Sequence, residues 1–276
     1  TDHRVKNILN KLFIKAPAKL NLHLQVLDSR NDGYHNISSC FTFINFFDEL
    51  EFGLKKDEIV LNESSPIKNN LVIQAAELLK NKSKTSLGVE IKLYKNIPQQ
   101  KGLGGGSSDA AATLVALNRI WDLNYSKQKL QDLGLKLGSD IPFFINGYSC
   151  WSEGRGEILS SIKLKESWFL LLLPKAKIST KLAFDSLDIG KEPLITKEEF
   201  LQGKRVNSFT DWARKKYSEL DIVFKKLELL GKPQLTGTGS AVFLQCSSKE
   251  DAEMKLRDVP EGFLVKSLDH SPLLQI

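Results

Sequence analysis

The chain is poor in residues that staple, ligate or anchor. Its 276 residues include three cysteines, four histidines and one methionine. Cys40, Cys150 and Cys246 are far apart in apolar stretches, which suits buried thiols in a reducing compartment and not a disulfide framework or metal site. His3, His23, His35 and His270 show no ligand spacing either. No apolar run approaches the ~20 residues that cross a bilayer. The strongest, Trp168 to Leu173, is closed by Pro174 and reads as a buried strand. Thr1 to Asn10 is polar and charged, without the apolar centre of a signal peptide. Together these absences predict a cytoplasmic protein with no membrane partner. Repeats and low-complexity tracts are also absent, which sets aside a stacked-array architecture.

What remains is an ordinary globular composition, 41% hydrophobic and 26% charged. The length is comfortable for two small cores and needs no covalent staple. A net charge of +6 and a pI near 9.0 suit either a nucleic-acid binder or an enzyme handling phosphorylated ligands. Lys215, Lys216, Lys225 and Lys226 fall on predicted helix faces, where solvation is the default, so charge alone decides little.

From Leu20 the chain alternates. Leu22, Leu24 and Val26 share one face of a strand, while Lys19, Asn21, His23 and Gln25 share the other. Asn31-Asp32-Gly33 signals a turn, aromatic-rich strand follows to Leu54, and Lys55-Lys56-Asp57 reads as a hairpin into Glu58–Asn62. Asn69 or Asn70 caps a helix to about Lys80, and Gly88 to Ile97 reads as a strand. A glycine-rich loop leads into a helix from Ser107 to about Trp121, and Ser126 caps a second, short one. The second half begins near Lys163, with a helix over Ser179–Leu187, a capping box at Thr196 and Glu199, and two helices within Asn207–Leu230. Gln234–Gln245 reads as strand, glycine turn, strand; Ser248 caps a last helix and Gly262–Leu268 closes as a strand. This order predicts an α+β fold in two domains, 1–160 and 161–276.

The segment Pro98-Gln99-Gln100-Lys101-Gly102-Leu103-Gly104-Gly105-Gly106-Ser107-Ser108 joins a strand to a helix. Its four glycines let backbone N–H groups converge. The helix behind it offers unpaired amides and a partial positive charge, so the loop suits a phosphate chain. Ser107 and Ser108 add hydroxyls, and Asp109 stabilises the first helical turn. No Gly-Lys-Ser/Thr follows, so this is not a Walker A loop, and Ser107 stands where a dinucleotide fingerprint needs its third glycine.

Lys19 lies two residues before Asn21, roughly 6.6 Å away along a strand. Pro17 upstream points to an edge or strand start. Taken alone, Lys19 suits a solvated lysine. Asp140, between Gly138 and the apolar Ile141-Pro142-Phe143-Phe144, suits either a turn cap or a positioned base. A kinase acting on an alcohol needs a carboxylate to take the hydroxyl proton and a cation to offset charge on the moving phosphoryl group. Lys19 and Asp140 supply both if the fold brings them together.

Three segments, in order, resemble the GHMP kinases. Lys15-Ala-Pro-Ala-Lys19-Leu-Asn21-Leu with Arg30-Asn-Asp-Gly33-Tyr34-His35 resembles the opening motif of the diphosphocytidyl-methylerythritol kinases. Gly102–Ser108 with Asp109-Ala110-Ala111 resembles the central phosphate loop, and Leu235-Thr236-Gly237-Thr238-Gly239-Ser240-Ala241 the third glycine motif. The likeness runs from about Phe13 to Leu273. It implies a two-domain fold with ATP and a small-molecule substrate in the cleft between domains. ATP would lie on Pro98 to Ser108, bringing Mg²⁺ with it, although spacing marks no metal ligand. Asp140 is implied as the base toward the C2 hydroxyl of the methylerythritol unit and Lys19 as the charge stabiliser. Tyr34 and Phe184 map to a cytidine sandwich and His35 to a cytosine contact. Asn21, Thr180 and the Gly237-Thr238-Gly239 turn map to the substrate pocket. Without the likeness, Tyr34, His35 and Phe184 read as packing residues.

One departure concerns Gln100 and Lys101, which stand where the family has small residues; Lys101 either meets a phosphate or points to solvent. Two other functions compete: a GHMP kinase for another alcohol, such as homoserine or mevalonate, and a non-catalytic sensor or nucleic-acid binder on the same fold. The presence of both Lys19 and Asp140 argues against the latter, so no nucleic-acid partner is expected.

Overall fold

The computed structural model describes residues 11–63, 66–189 and 193–276. The polar start at Thr1–Asn10 therefore lies outside the described residues. Two long antiparallel strands, β1 (Lys11–Ser29) and β2 (His35–Lys55), form the spine. Between them the chain turns at Asn31-Asp32-Gly33, with Gly33 at φ +82°. Pro17 cannot donate to the ladder, and the pairing slips there, from Pro17↔Phe47 to Ala18↔Ile44. Lys19 thus stands mid-strand instead of at an edge. Just beyond the slip its N–H donates to Leu103 O at 3.0 Å, which brings the glycine loop against the strand.

The rest follows as β3 (Ile59–Glu63), α1 (Leu71–Ser83), β4 (Gly88–Tyr94), α2 (Gly105–Ile120), α3 (Lys127–Gly134), α4 (Ile141–Asn146), β5 (Cys150–Glu153), β6 (Ile158–Ser161) and β7 (Trp168–Leu172). Then come α5 (Thr180–Asp185), α6 (Lys197–Leu201), α7 (Thr210–Lys216), α8 (Ser218–Glu228), β8 (Gln234–Leu235), β9 (Val242–Cys246), α9 (Lys249–Asp258) and β10 (Phe263–Leu268). The main sheet path runs β3-β4-β2-β10-β7-β9-β8, with β1 and β5 also on β2 and β6 on β5.

The predicted β2–β3 hairpin does not form. β3 runs parallel to β4, Ile59 opposite Val89, and β4 lies between it and β2. A parallel pair needs a crossover, and α1 supplies it. Its buried face, Val72, Ala75, Ala76 and Leu79, joins the core that this crossover covers. The strand expected to reach Ile97 ends at Tyr94, and α2 begins two residues before Ser107, among the glycines themselves.

β1 threads all three apolar clusters. Ile14 and Ala16 join the one under α1 to α4, where the Phe43 and Phe143 rings stack 4.3 Å apart. Ala18, Leu20 and Leu22 pack with Phe169 and Phe243, and Leu24 and Val26 with β7, α7 and α8. The opposite, polar row is buried too: Lys19, Asn21, His23 and Gln25 are each 3% exposed or less. That row is shielded from bulk solvent, so its polar groups find their partners within the fold. Cys40, Cys150 and Cys246 are buried free thiols.

Candidate active site

A cleft of about 810 Å³, within the usual range for small-molecule sites, contains nearly all the residues singled out above. It is lined by Lys19, Asn21, Tyr34, His35, the loop from Pro98 to Ser107, Asp140, Thr180, Phe184, Gly237 and Thr238. Ser108 and Gly239 do not line it. Ser108 is fully buried in α2. Gly239 turns the chain at φ +95°, where an added Cβ would lie 2.9 Å from Ile178 Cδ1, so its smallness serves packing.

The loop is shaped by left-handed residues at alternate positions, Gln100, Gly102 and Gly104, with φ between +55° and +74°. Gly102 passes so close to the third glycine motif that a Cβ would sit 2.0 Å from Thr236 O. Gly104 is the N-cap of α2 and offers no capping side chain. The first-turn amides of α2 and its positive end therefore open on the cleft, as an anion site requires.

Lys19 is joined to this loop and to its base candidate. Its ammonium donates to Asn21 Oδ1 and lies 3.8 Å from Asp140 Oδ2. Burial pulls its pKa below the ordinary lysine value, and the Asp140 carboxylate opposes that shift. Asp140 occupies the N-cap position of α4, yet its side chain makes no capping bond. The carboxylate is one-third exposed and lines the cleft. Thr236 ties the three motifs: its hydroxyl accepts from Asn21 N at 3.0 Å and donates to Gly102 O at 3.1 Å.

Beside the β1–β2 turn, the His35 ring packs against Phe184 of α5, centroids 5.0 Å apart and planes tilted by 31°, and Tyr34 is half exposed. The Thr180 and Thr238 hydroxyls are 3.4 Å apart. This part of the lining suits a flat, hydrogen-bonding ring.

Sequence reasoning missed several lining residues. Arg155, in the Gly154-Arg155-Gly156 turn between β5 and β6, lies over the Tyr34 ring at 4.4 Å; a cation between two glycines was the available signal. Asp109, expected in the first turn of its helix, lies beyond it because α2 already starts at Gly105, and its pairing with Lys95 is tertiary, with no local signal. Lys95 Nζ contacts the buried Asp48 and lies 2.7 Å from Asp109 Oδ2. Burial works against the Lys95 charge, but the two carboxylates outweigh it and hold its pKa above the ordinary value. Burial pushes Asp109 up to about 7 against the pull of Lys95. Lys101 points neither to solvent nor to the phosphate position: its ammonium bonds Pro174 O, Ala176 O and Ser240 Oγ.

The GHMP kinases N terminal domain profile matches residues 70–148, from the N-cap of α1 to the entry of β5. The chain is 40% identical over 271 residues to the 4-diphosphocytidyl-2-C-methyl-D-erythritol kinase of Chromobacterium violaceum, covering 94% of this chain and 95% of that protein. It is 37% identical to the protein of the same name from Colwellia psychrerythraea, covering 98% and 95%. A crystal structure of 4-(cytidine 5'-diphospho)-2C-methyl-D-erythritol kinase superposes with a TM-score of 0.79 at 29% identity, over 93% of this chain and 99% of that one. With the fold, the motif order and the length all shared, the chain belongs to the 4-diphosphocytidyl-2-C-methyl-D-erythritol kinase family of GHMP kinases.

Proposed function

We propose that this chain transfers the γ-phosphoryl group of ATP to the C2 hydroxyl of 4-diphosphocytidyl-2-C-methyl-D-erythritol, a step toward isoprenoid precursors in the cytoplasm. The observation that carries this reading is the Lys19 ammonium 3.8 Å from the uncapped Asp140 carboxylate, in one cleft with the glycine loop and the Tyr34–His35–Phe184 cluster. Relatives at 37–40% identity that bear the name of this kinase support it.

The loop amides and the N-terminus of α2 bind the phosphates of ATP. Asp140 accepts the proton of the C2 hydroxyl as its oxygen bonds the γ-phosphorus and the bond to the β-phosphate oxygen breaks, releasing ADP. Lys19 offsets the charge that spreads over the moving phosphoryl oxygens, and Asn21 Oδ1 fixes where its ammonium sits. Tyr34 and Phe184 stack on the cytosine and His35 bonds its edge, while Asn21, Thr180, Gly237 and Thr238 border the erythritol unit. Residues 1–160 and 161–276 act as the two lobes around this cleft.

Mg²⁺ is expected with ATP, and oxygen donors are at hand. Ser108 Oγ and Asp109 Oδ1 are buried without a hydrogen-bond partner among the described residues. Among those residues no group of three or more His, Cys, Asp or Glu is gathered to hold a metal. That set suits an ion held by one or two protein oxygens and the substrate phosphates. Bound there, Mg²⁺ would offset phosphate charge.

ADP release from ATP and Mg²⁺ with the cytidine substrate, beside homoserine and mevalonate, tests the reading. Turnover with the cytidine substrate alone is expected. Turnover with homoserine or mevalonate alone would keep the kinase and remove the cytidine pocket, and no turnover from folded protein would contradict both.

A further inference from the structure

Lys101 is a cation inside the nucleotide loop, yet it is only 8% exposed and its ammonium is engaged away from the cleft. An ammonium has three N–H donors, and each finds an acceptor: Pro174 O, Ala176 O at 2.8 Å and Ser240 Oγ at 3.0 Å. The main chain of the same residue joins in, with Lys101 O accepting from Ala241 N at 3.2 Å. One residue thus fastens the loop to the segment after β7 and to the turn between β8 and β9.

The acceptors are themselves braced. The Pro174–Lys175 peptide gives its C=O to Lys101 and its N–H to Glu219 Oε1, at 2.6 Å. Glu219 Oε2 takes the next amide, Ala176 N, at 3.0 Å. The positive and negative charges therefore polarise one peptide unit from its two ends, which strengthens both bonds. Ser240 Oγ closes the set by donating to Ala176 O at 2.5 Å. Lys101 is flanked by the left-handed Gln100 and Gly102, a conformation that a loop of small residues would leave readily.

We propose that Lys101 is a positioning residue of the nucleotide loop: its buried ammonium, held by Pro174 O, Ala176 O and Ser240 Oγ, sets the loop for the phosphates of ATP before the nucleotide arrives. This rests on the reading that the loop binds those phosphates. Without the clamp the loop visits other conformations, and nucleotide affinity falls by the fraction of time it is correctly formed. The Tyr34, His35 and Phe184 side chains make none of the clamp's hydrogen bonds, while Thr180 and Thr238 border its acceptors, so the second substrate should feel loss of the clamp less than the nucleotide does.

The test is calorimetric titration of wild type, Lys101→Met and Ser240→Ala with a non-hydrolysable ATP analogue and Mg²⁺, and separately with the cytidine substrate. Lys101→Met keeps the stem and removes the ammonium; its analogue Kd should rise about tenfold, the cost of a loop competent for about a tenth of the time. Its Kd for the cytidine substrate should rise by less than half as many fold. Ser240→Ala removes one acceptor without altering the loop sequence, so it carries the test even if Lys101→Met does not fold. It should weaken the analogue less than Lys101→Met and add nothing in the double variant. Wild-type analogue affinity in either folded single variant overturns the proposal, as does equal weakening toward both ligands, the mark of a merely structural role. A wild type that binds no analogue would overturn the reading of the loop, and the proposal with it.

Discussion

The Asp109 carboxylate lies 2.7 Å from the Lys95 ammonium, yet burial governs its titration and lifts it from 3.8 to about 7. With Asp48 on the same ammonium, the cluster holds two carboxylates for one cation. A folded pKa above the unfolded value means that the folded chain binds more protons between the two, so stability falls as pH rises from about 4 to about 7. Above that window the full penalty is present. Asp109→Asn keeps the shape and leaves Lys95 paired with Asp48. Its Tm in the ligand-free protein should equal or exceed that of wild type at pH 8, with the difference shrinking toward pH 5; a deficit at pH 8 would contradict this account of the cluster. Such a site was illegible in sequence because Asp48, Lys95 and Asp109 meet only in the fold. Lys19 was half legible. The alternation put it on the polar face, but what buries that face, the glycine loop at Leu103 and the third glycine motif at Thr236, lies far along the chain.

Among elements, the strand–loop–helix unit of β4 and α2 carries the site, and its glycines differ in purpose. At Gly102 a Cβ meets Thr236 O at 2.0 Å and φ is +74°, whereas at Gly106 the nearest atom, Leu71 Cδ1, is 3.7 Å away. Gly102→Ala incurs a left-handed penalty of about 1–2 kcal/mol plus the clash. A Tm loss of roughly 4–8 °C is expected at this chain size, with weaker binding of an ATP analogue. Gly106→Ala should leave Tm within about 2 °C, being a helical position with room for a methyl. Equal effects from both would refute the close-approach explanation. Helix starts were the most legible feature: Asn70, Ser126 and Ser248 each accept the predicted backbone bond, Ser179, read as the first helical residue, caps its helix instead, and Thr196 with Glu199 makes both bonds of the capping box. Caps are local, so sequence suffices. The partner of β3 is not local, and a turn-like Lys55-Lys56-Asp57 could not reveal that β4 would come between. The start of α2 was missed because glycine has poor helix propensity, whereas here crowding favours it: a Cβ on Gly105 would lie 3.0 Å from Ile97 Cγ2.

At the scale of the whole molecule, the first and last strands decide how the cleft is held. β10 pairs with β2 through Ser267 and Leu268 and with β7 through Phe263 to Lys266, so one sheet path crosses from residues 1–160 to residues 161–276. β1 packs into every apolar cluster and also carries Lys19 and Asn21. Lys19 and Asn21 therefore sit on a strand that packs into all three apolar clusters, while Asp140 reaches Lys19 from the entry of α4. Motif order made this convergence expected; only the fold gives the 3.8 Å between the two charges. The most direct measurement is the turnover of Asp140→Asn with ATP, Mg²⁺ and the cytidine substrate, beside its Tm and its affinity for an ATP analogue. The account predicts kcat lower by roughly 10²–10⁴-fold, the range for a positioned base, with Tm and nucleotide affinity unchanged. Turnover near that of wild type would contradict it.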